Sequence, residues 1–279
     1  MLRKELIMSF ELIAVDIDGT LLNSRKEVAP ETLQAVRKVC AAGKTVVFDT
    51  GRAVSELTAL FEQIPGVRYA VFASGAGIYD AQEKKAFALR GFPRDQVDAI
   101  LSLARTKDAM LQIILPDRAV LQASQMEHLE RYHMEIYRPL YEKSMTTVPD
   151  IFAFASSCRE EILKINLYHA VPEERIRTSA QLASLKISRI YAETSSLECS
   201  AEGVDKGSGL LLLGDKLGIP PERIIALGDA DNDLPMFRTA GLGIAMGNAE
   251  EHVKTAADRV VSDLDHGGCA QAILMLLSE

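Results

Sequence analysis

Two carboxylates separated by a single residue follow the first apolar run of the chain. Asp16 and Asp18 come directly after Ile-Ala-Val at residues 13–15, and the two-residue period of a strand points both carboxylates to the same side. One such carboxylate can attack phosphorus as a nucleophile while the other transfers protons, and Gly19 lets the chain turn beside them. An ordinary Asp-Gly turn at a strand end has the same sequence, so this segment alone leaves both interpretations open.

A second acidic cluster occupies residues 228–233, with the sequence Gly-Asp-Ala-Asp-Asn-Asp. It places three carboxylates within the five residues from Asp229 to Asp233. Carboxylates so close together repel one another, and a bound cation is the usual reason for such crowding. A calcium-binding EF-hand loop is excluded, because Leu234 and Ala240 stand where that loop needs glycine and glutamate. The remaining alternative is a helix N-terminus that carries acidic residues, whose charge the helix dipole favours.

Two further segments could hold a phosphate group. The tripeptide Thr50-Gly51-Arg52 follows the second apolar run and precedes a predicted helix, where a hydroxyl, backbone N–H groups and the helix dipole can bind phosphate oxygens. A simple N-cap threonine is the alternative at this position. Lys206 stands before a later predicted helix, and it matters for chemistry only if it faces the acidic cluster.

The hydrophobic pattern predicts how these segments are positioned. Short apolar runs alternate with helix-period segments at both ends of the chain, which indicates a parallel sheet with right-handed crossovers. The predicted strands are 10–15, 45–48, 70–73, 224–227 and 242–246, and the predicted helices are 30–43, 54–64, 210–217, 234–240 and 268–277. Because ligands bind beyond the carboxyl ends of parallel strands, we expect both acidic clusters, Thr50 and Ser74-Gly75 at one edge of the sheet.

Residues 84–200 have a different pattern, in which strand-like runs are mixed with polar helical stretches. The strand-like runs are 110–115, 151–155, 165–168 and 187–192. This predicts an α+β cap domain inserted into a core domain that consists of residues 1–83 and 201–279. The expected fold class is α/β, with a Rossmann-like, doubly wound parallel sheet in the core.

Composition excludes several classes of protein. The chain has 279 residues, of which 48% are hydrophobic and 25% are charged, values typical of a globular protein with one large or two modest domains. Its net charge is −8, whereas proteins that bind nucleic acid usually carry clusters of basic residues that contact the phosphate backbone. No apolar run approaches the roughly 20 residues that span a bilayer, and the cysteines form no Cys-x-x-Cys pair. We therefore expect a cytoplasmic protein with no nucleic-acid or membrane partner; the sequence carries no signal for an oligomeric state.

Taken in order along the chain, the motifs resemble those of the haloacid dehalogenase-like phosphatases. They are Asp-x-Asp-Gly-Thr-Leu-Leu at the first strand, Thr-Gly-Arg at the second, a lysine before a late helix, and Gly-Asp-x-x-Asn-Asp at the next strand. The insertion resembles the type IIB cap of the Cof-type sugar phosphatases, and Gly247-Asn248-Ala249 and Ala257-Asp258 fit the same branch. The resemblance covers residues 9–82 and 201–279.

This resemblance implies a reaction and a set of residues that perform it. Asp16 would be the nucleophile that forms an aspartyl-phosphate, and Asp18 would protonate the leaving group and then activate water. The implied phosphate-binding residues are Thr50, Gly51, Lys206 and Asn232. The implied Mg²⁺ ligands are Asp16, the Asp18 backbone carbonyl, Asp229 and Asp233. The implied function is hydrolysis of a small phosphorylated metabolite, a sugar phosphate; a phosphomutase and a catalytically inactive metabolite-binding regulator are the alternatives.

One position departs from the family pattern. Relatives usually carry Asn-Gly where this chain has Ser74-Gly75, a site beside the bound phosphate. Serine is shorter and presents a hydroxyl instead of an amide, so substrate contacts at this position should differ. The implied substrate-pocket residues are Gly19, Arg52, Ser74 and Gly75. In the cap, Lys164 and Asn166 are candidates either for substrate contact or for a structural role.

Overall fold

The structure is a computed structural model that describes residues 9–277. The strands are β1 (Leu12–Val15), β2 (Thr45–Asp49), β3 (Tyr69–Phe72), β4 (Gly77–Asp80), β5 (Lys85–Phe87), β6 (Ala109–Ile114), β7 (Ala119–Gln122), β8 (Met145–Val148), β9 (Lys164–His169), β10 (Ile187–Ile190), β11 (Ser196–Ala201), β12 (Ile224–Gly228), β13 (Leu242–Ala245) and β14 (Arg259–Val260). The α-helices are α1 (Pro30–Ala41), α2 (Thr58–Gln63), α3 (Arg94–Ala104), α4 (Ala123–Met126), α5 (Arg138–Ser144), α6 (Ile151–Ser157), α7 (Glu174–Gln181), α8 (Lys206–Leu217), α9 (Leu234–Thr239), α10 (Glu251–Ala256) and α11 (Gly268–Leu274). Short 3₁₀ helices lie at Val54–Glu56, Ala73–Gly75, Leu129–Tyr132, Glu135–Tyr137, Pro221–Arg223, Asp231–Asp233 and Met275–Leu277.

The described chain divides into two compact units. The first unit contains the described chain up to Thr50, Gln63–Val71 and the described chain from Lys206 onward, and the second contains Gly51–Glu62 and Phe72–Asp205. Residues 51–62, 72–83 and 201–205 thus lie in the second unit. The domain limits predicted from the sequence, with a cap of residues 84–200, remain a proposal.

Six strands of the first unit are parallel neighbours in the order β14-β13-β12-β1-β2-β3. Val15 at the end of β1 lies opposite Phe48 of β2 and Leu227 of β12. Every residue of β1 and of β12 is buried, as expected for strands covered on both faces. The predicted α/β fold with a parallel sheet core is therefore confirmed, and the residues that follow β1, β2 and β12 share one edge of the sheet.

The second unit contains a sheet of six strands in the order β10-β11-β9-β6-β7-β8. Its neighbouring strands are antiparallel, except that β7 and β8 are parallel. Ile113, Ile165 and Leu197 belong to a buried apolar cluster, whereas Asn166 alternates with Ile165 along β9. This unit also contains the antiparallel hairpin formed by β4 and β5.

The run 151–155, predicted as a strand, is instead the helix α6. The Asp150 side chain caps this helix by accepting hydrogen bonds from the backbone N–H groups of Phe152 and Ala153. The periodicity of a short apolar run does not distinguish a buried strand from a buried helix. The N-cap residue Asp150 is the local feature that favours the helix here. The helix predicted over 54–64 is also divided, into the 3₁₀ helix Val54–Glu56 and α2.

The helices of the described chain are too short or too polar to cross a membrane. Among residues 9–277, none of the helices combines the length and the apolar character that crossing a lipid bilayer requires.

Candidate active site

Lys206 connects two carboxylates that are far apart in the sequence. Its Nζ donates to Asp16 Oδ1 and to Asp233 Oδ1, with both distances 2.6 Å. The ammonium group is fully buried, and Asp16 and Asp233 are 6% and 0% exposed. Lys206 is the first residue of α8, Asp16 follows β1, and Asp233 ends the 3₁₀ helix after β12. The lysine therefore faces the acidic cluster, which is the condition that the sequence alone could not decide.

The Asp233 carboxylate also fixes the loop that follows β12. Its Oδ2 accepts the backbone N–H groups of Asp229 at 2.8 Å and of Ala230 at 3.0 Å. A side chain at Gly228 would place its Cβ 2.2 Å from the Cγ of Asp233, so only glycine allows this close approach. Both Asp233 oxygens thus accept hydrogen bonds within the protein, and they hold Lys206 and the Asp229 backbone in place.

Asp229 is oriented by groups from the loop after β1 and from the segment after β13. Thr20 Oγ1 donates to Asp229 Oδ1 at 2.7 Å. Asn248 Nδ2 lies 3.3 Å from Asp229 Oδ2 and donates to the Gly19 carbonyl oxygen at 2.9 Å. Thr20 and Asn248 both lie inside the sequence motifs, but nothing in their local sequence indicates that they contact Asp229. These contacts fix the Asp229 carboxylate beside Asp16.

Asp18 is held separately from the buried acids. Its Oδ1 accepts a hydrogen bond from Lys26 Nζ at 3.0 Å, and the two side chains are 23% and 31% exposed. Ile17 between the two aspartates is fully buried, and β1 ends at Val15, before these three residues. The Asp18 side chain is therefore partly exposed to solvent, whereas only 8% of the Asp16 side chain is exposed. No sequence pattern indicated Lys26 as its partner.

Gly19 packs directly against the Asp229 carboxylate. Its φ of +87° is disfavoured for other residues, and a Cβ here would lie 2.3 Å from Asp229 Oδ2. We expect Gly19→Ala to displace this carboxylate and to lower the apparent affinity for a divalent cation by about 10- to 100-fold, the usual effect of disturbing a ligand's support. A titration of activity against Mg²⁺ measures the change.

Gly43→Ala is the matched control for Gly19→Ala. Gly43 also has a positive φ, +77°, but nothing lies within 4 Å of the position that its Cβ would take. Both variants therefore introduce the same backbone strain, and only Gly19→Ala adds the collision with Asp229. Equal cation affinities in the two variants would contradict this role of Gly19.

The cluster has an excess of buried negative charge. Burial raises the pKa of Asp16 well above its ordinary value; Lys206 opposes this effect, and the charges of Asp233 and Asp229 add to it. Burial and the neighbouring Asp233 raise the pKa of Asp229 to about 7. For Lys206, burial lowers the pKa, but Asp16 and Asp233 outweigh this effect, so the pKa of Lys206 is raised and the ammonium stays charged. One ammonium group does not balance three carboxylates.

The geometry of the acids fits a divalent cation. Carboxylate oxygens of Asp16, Asp229 and Asp233 all lie within 4.8 Å of one another. Carboxylate oxygen is the ligand type that hard cations such as Mg²⁺ prefer, and a cation would offset the charge that raises the pKa values of Asp16 and Asp229. The acidic cluster could therefore bind a metal ion.

Thr50 and Asn232 lie at the same edge of the parallel sheet. Thr50 directly follows β2, is 1% exposed, and donates its backbone N–H to the Val71 carbonyl oxygen at 2.9 Å. Asn232 lies next to Asp233 and is 8% exposed. Its Oδ1 is buried and has no hydrogen-bond partner among the described residues, which leaves an acceptor for a group outside the protein.

The other predicted site residues, Gly51, Arg52, Ser74 and Gly75, belong to the second unit. Gly51 and Arg52 are half-buried, whereas Ser74 and Gly75 are buried. The Arg52 carbonyl oxygen accepts the backbone N–H of Ala73 at 2.9 Å, so the two segments are joined. The predicted roles of these four residues in phosphate or substrate binding remain predictions.

Comparison with known proteins identifies the class of this one. The sequence profile of the haloacid dehalogenase-like hydrolases matches residues 13–273. This match spans both acidic clusters and everything between them. The chain belongs to the haloacid dehalogenase-like hydrolase family, and the resemblance inferred from its motifs is confirmed.

The names of individual relatives indicate which kind of haloacid dehalogenase-like hydrolase this chain resembles. Phosphatase YwpJ of Bacillus subtilis is 27% identical over an alignment of 288 positions, gaps included, which covers 96% of this chain and 100% of YwpJ. The 5-amino-6-(5-phospho-D-ribitylamino)uracil phosphatase YitU of the same organism is 27% identical, over 93% of this chain and 95% of YitU. A solved haloacid dehalogenase-like hydrolase from Bacteroides thetaiotaomicron has a TM-score of 0.80 at 27% identity, over 95% of this chain and 98% of that one. The predicted enzyme class, a haloacid dehalogenase-like phosphatase, is confirmed.

Proposed function

We propose that this protein is a Mg²⁺-dependent phosphatase that hydrolyses a small phosphorylated metabolite, a sugar phosphate, through an aspartyl-phosphate on Asp16. The observation that carries the proposal is the buried Lys206 ammonium between Asp16 and Asp233, with Asp229 beside them. Phosphoryl transfer depends mainly on charge neutralisation and positioning, and this cluster provides fixed groups for both.

Asp16 is the proposed nucleophile. Its Oδ1 accepts a hydrogen bond from Lys206, so we assign the attack to Oδ2. In the first step a bond forms between this oxygen and phosphorus, and the bond from phosphorus to the ester oxygen breaks. The Lys206 contact fixes the rotation of the carboxylate, and this reduces the motion needed to reach the in-line position.

Asp18 is the proposed general acid and base. It lies two residues from Asp16 and is partly exposed, so its proton can be exchanged with solvent. In the first step it gives a proton to the departing ester oxygen. In the second step it takes a proton from water, whose oxygen attacks phosphorus and releases Asp16 with inorganic phosphate. Lys26, at 3.0 Å, holds the Asp18 carboxylate between the two steps.

Thr50, Lys206 and Asn232 are proposed to hold the phosphoryl oxygens. Lys206 directs two of its three ammonium hydrogens to carboxylates, so one remains for a phosphoryl oxygen. The Asn232 side chain would act through its amide nitrogen, which can donate to a phosphoryl oxygen, whereas its Oδ1 only accepts. The Thr50 hydroxyl follows β2, which is adjacent to β1.

Mg²⁺ is the proposed cofactor. Asp16, Asp229 and the Asp18 backbone carbonyl would hold it, with Asp233 in a supporting position because both of its oxygens already accept hydrogen bonds. When bound, the cation supplies positive charge that stabilises the transferring phosphoryl group. The chain's own contribution is to keep Asp229 oriented through Thr20 and Asn248.

A sugar phosphate is the proposed class of substrate. The relative YitU is named for a substrate whose phosphate is carried on a ribityl chain, a sugar-derived polyol. A cap formed by residues 84–200, as proposed from the sequence, would contribute the residues that distinguish one such compound from another.

The experiment that tests this function is a panel of sugar and polyol phosphates assayed for released phosphate during a Mg²⁺ titration. We expect hydrolysis that requires Mg²⁺ and stops with a chelator, and we expect Asp229→Ala to raise the Mg²⁺ concentration for half-activity by about 100-fold or more. Asp98→Ala, at an exposed position paired with Arg94 in α3, is the control that should leave the titration unchanged.

Three outcomes would contradict parts of the proposed function. An Asp229→Ala titration equal to that of the natural protein would remove Asp229 from the cation site. Transfer of the phosphoryl group to another hydroxyl of the substrate, with no ¹⁸O-labelled inorganic phosphate formed in ¹⁸O-labelled water, would show that water is not the attacking group, as expected of a phosphomutase. Absence of any chelator-sensitive hydrolysis across the panel would favour a binding protein without catalysis.

A further inference from the structure

A second fully buried lysine, Lys164, has no part in the chemistry proposed above. It lies on β9, is 0% exposed, and alternates with Ile165 of the apolar cluster, so it belongs to the opposite face of the sheet. Burial of an ammonium group is unfavourable unless charged and polar partners replace its water. The partners of Lys164 therefore indicate why the charge is kept there.

Three acceptors surround the Lys164 ammonium, and all of them belong to the second unit. Nζ lies 2.7 Å from Glu198 Oε2, and it donates to Ser74 Oγ at 2.9 Å and to the Gly51 carbonyl oxygen at 3.1 Å. Ser74 Oγ in turn donates to Glu198 Oε2 at 3.1 Å. An ammonium group has three hydrogens, so each is directed to one acceptor. The cluster joins β9 and β11 to the segments that follow β2 and β3.

Gly51 is shaped to this cluster. A Cβ at Gly51 would lie 3.0 Å from Lys164 Nζ, 3.3 Å from Ser74 Oγ and 3.5 Å from Glu198 Oε1. The three polar groups thus pack against the Gly51 α-carbon from one side, while Lys164 binds its carbonyl. A longer side chain at this position would push the ammonium away from the backbone.

Ser74 makes its contact with Lys164 from a left-handed backbone conformation, which is unfavourable for serine. Its φ is 55° and its ψ is 40°, and the preceding residue, Ala73, has a φ of 51°. Both are left-handed conformations that residues other than glycine and asparagine rarely adopt. Such conformations persist only where the surroundings hold them, and here the hydrogen bonds of Ser74 to Lys164 and Glu198 do so.

Backbone hydrogen bonds hold the residues on either side of Gly51. The Thr50 N–H donates to the Val71 carbonyl within the first unit, and the Arg52 carbonyl accepts from Ala73 within the second. The Gly51 carbonyl between them is held by a side chain, that of Lys164. The Gly51 carbonyl belongs to the Gly51–Arg52 peptide group, so the Lys164 contact contributes to fixing the direction in which the chain leaves Thr50.

We propose that Lys164, together with Glu198 and Ser74, is a positioning group that fixes the Gly51 backbone and, through the Thr50–Gly51 peptide bond, the Thr50 hydroxyl. The proposal rests on the proposed function only for the role of Thr50 in phosphate binding. Lys164 acts through Gly51 and has all three hydrogens committed, so it is a positioning residue and does not itself bind substrate.

The test uses Lys164→Met/Glu198→Met, which removes both charges together so that neither is left buried and unpaired. Thr178→Val is the matched control, because the buried Thr178 hydroxyl bonds His169 Nε2 at 2.9 Å elsewhere in the same unit. Tm, kcat and KM for p-nitrophenyl phosphate, and the inhibition constant of inorganic phosphate, are measured for both variants and for the natural protein.

We expect the double variant to lose about 10- to 100-fold in kcat/KM and to bind inorganic phosphate more weakly, as a displaced phosphate contact predicts. Adding Thr50→Val to the double variant should cause little further loss, because both changes act on the same contact. Thr178→Val should lower Tm while its kinetic constants stay unchanged. Hydrogen exchange of the backbone N–H groups of residues 51–56 should increase in the double variant and not in the control.

Each contrary result has a separate meaning. The positioning role would be overturned if the double variant had the same kcat, KM and inhibition constant as the natural protein. It would also be overturned if the losses of the double variant and of Thr50→Val were additive. Neither result would contradict the phosphatase function. An inactive natural protein would instead contradict the proposed function. In that case unchanged hydrogen exchange over residues 51–56 would still overturn the assignment of Lys164, and increased exchange would support it.

Discussion

The Asp16→Asn variant is expected to lose turnover of its phosphate ester by at least about 10⁴-fold while it keeps its fold. An amide is a poor nucleophile toward phosphorus, so no phosphoryl intermediate can form on residue 16, and losses of this size are usual when a nucleophile is removed. The change is nearly isosteric, and Lys206 keeps its second carboxylate partner, Asp233, at 2.6 Å. The measurements are single-turnover phosphate release and the circular dichroism spectrum.

Asp215→Asn is the control for this experiment. It makes the same chemical change at an exposed position of α8. Turnover should be unchanged in this variant. Residual, chelator-sensitive turnover in Asp16→Asn within tenfold of the natural rate would show that Asp16 is not the nucleophile, provided that mass spectrometry confirms the asparagine.

Lys206→Met is expected to abolish turnover and to lower the free energy of unfolding by about 3–5 kcal/mol, the usual cost of removing one member of a buried ion pair. The variant leaves Asp16 and Asp233 buried without the ammonium group that both now accept, at 2.6 Å each. Urea denaturation in the presence of a chelator measures the loss. Added Mg²⁺ should restore part of it, because a cation replaces some of the missing positive charge.

Lys44→Met is the control for Lys206→Met. It removes a partly buried lysine that has no carboxylate partner among its hydrogen bonds, so it measures the effect of losing a lysine without losing an ion pair. Lys44 Nζ donates to Ser9 Oγ and to the Phe10 carbonyl oxygen, and neither is a carboxylate. This variant should lose only about 1 kcal/mol, the net value of ordinary hydrogen bonds. If Lys206→Met lost no more than Lys44→Met, the buried charge would not be essential to the cluster.

The parallel sheet could be predicted from the sequence because its strands are short, apolar and bounded by turn residues. Predicted strand 224–227 differs from β12 by one residue, and predicted helix 30–43 contains α1 with its proline at the first position. The acidic residues after β1 and β12 could be placed at one edge because that edge follows from parallel topology alone. These inferences depend on local patterns that burial on both faces of a sheet imposes.

The contacts of the buried lysines could not be predicted, because their partners lie far away along the chain. Lys206 and Asp16 are 190 residues apart, and Lys164 and Gly51 are 113 apart. A lone lysine before a helix has the same local sequence whether it is solvated or buried, and only tertiary packing separates the two states. For Lys164, which lies at the edge of a predicted strand, the sequence left both substrate contact and a structural role open.

The central place of β1 in its sheet has a consequence for biosynthesis. One neighbour, β2, follows soon after β1, but the other, β12, is made about 210 residues later. At ribosomal rates of about 5–20 residues per second, this apolar strand waits roughly 10–40 s for its second partner. The chain from Phe72 to Asp205, which makes up most of the other unit, emerges without interruption during that interval. The nascent polypeptide must therefore shield the apolar side chains of β1 until β12 has been synthesised.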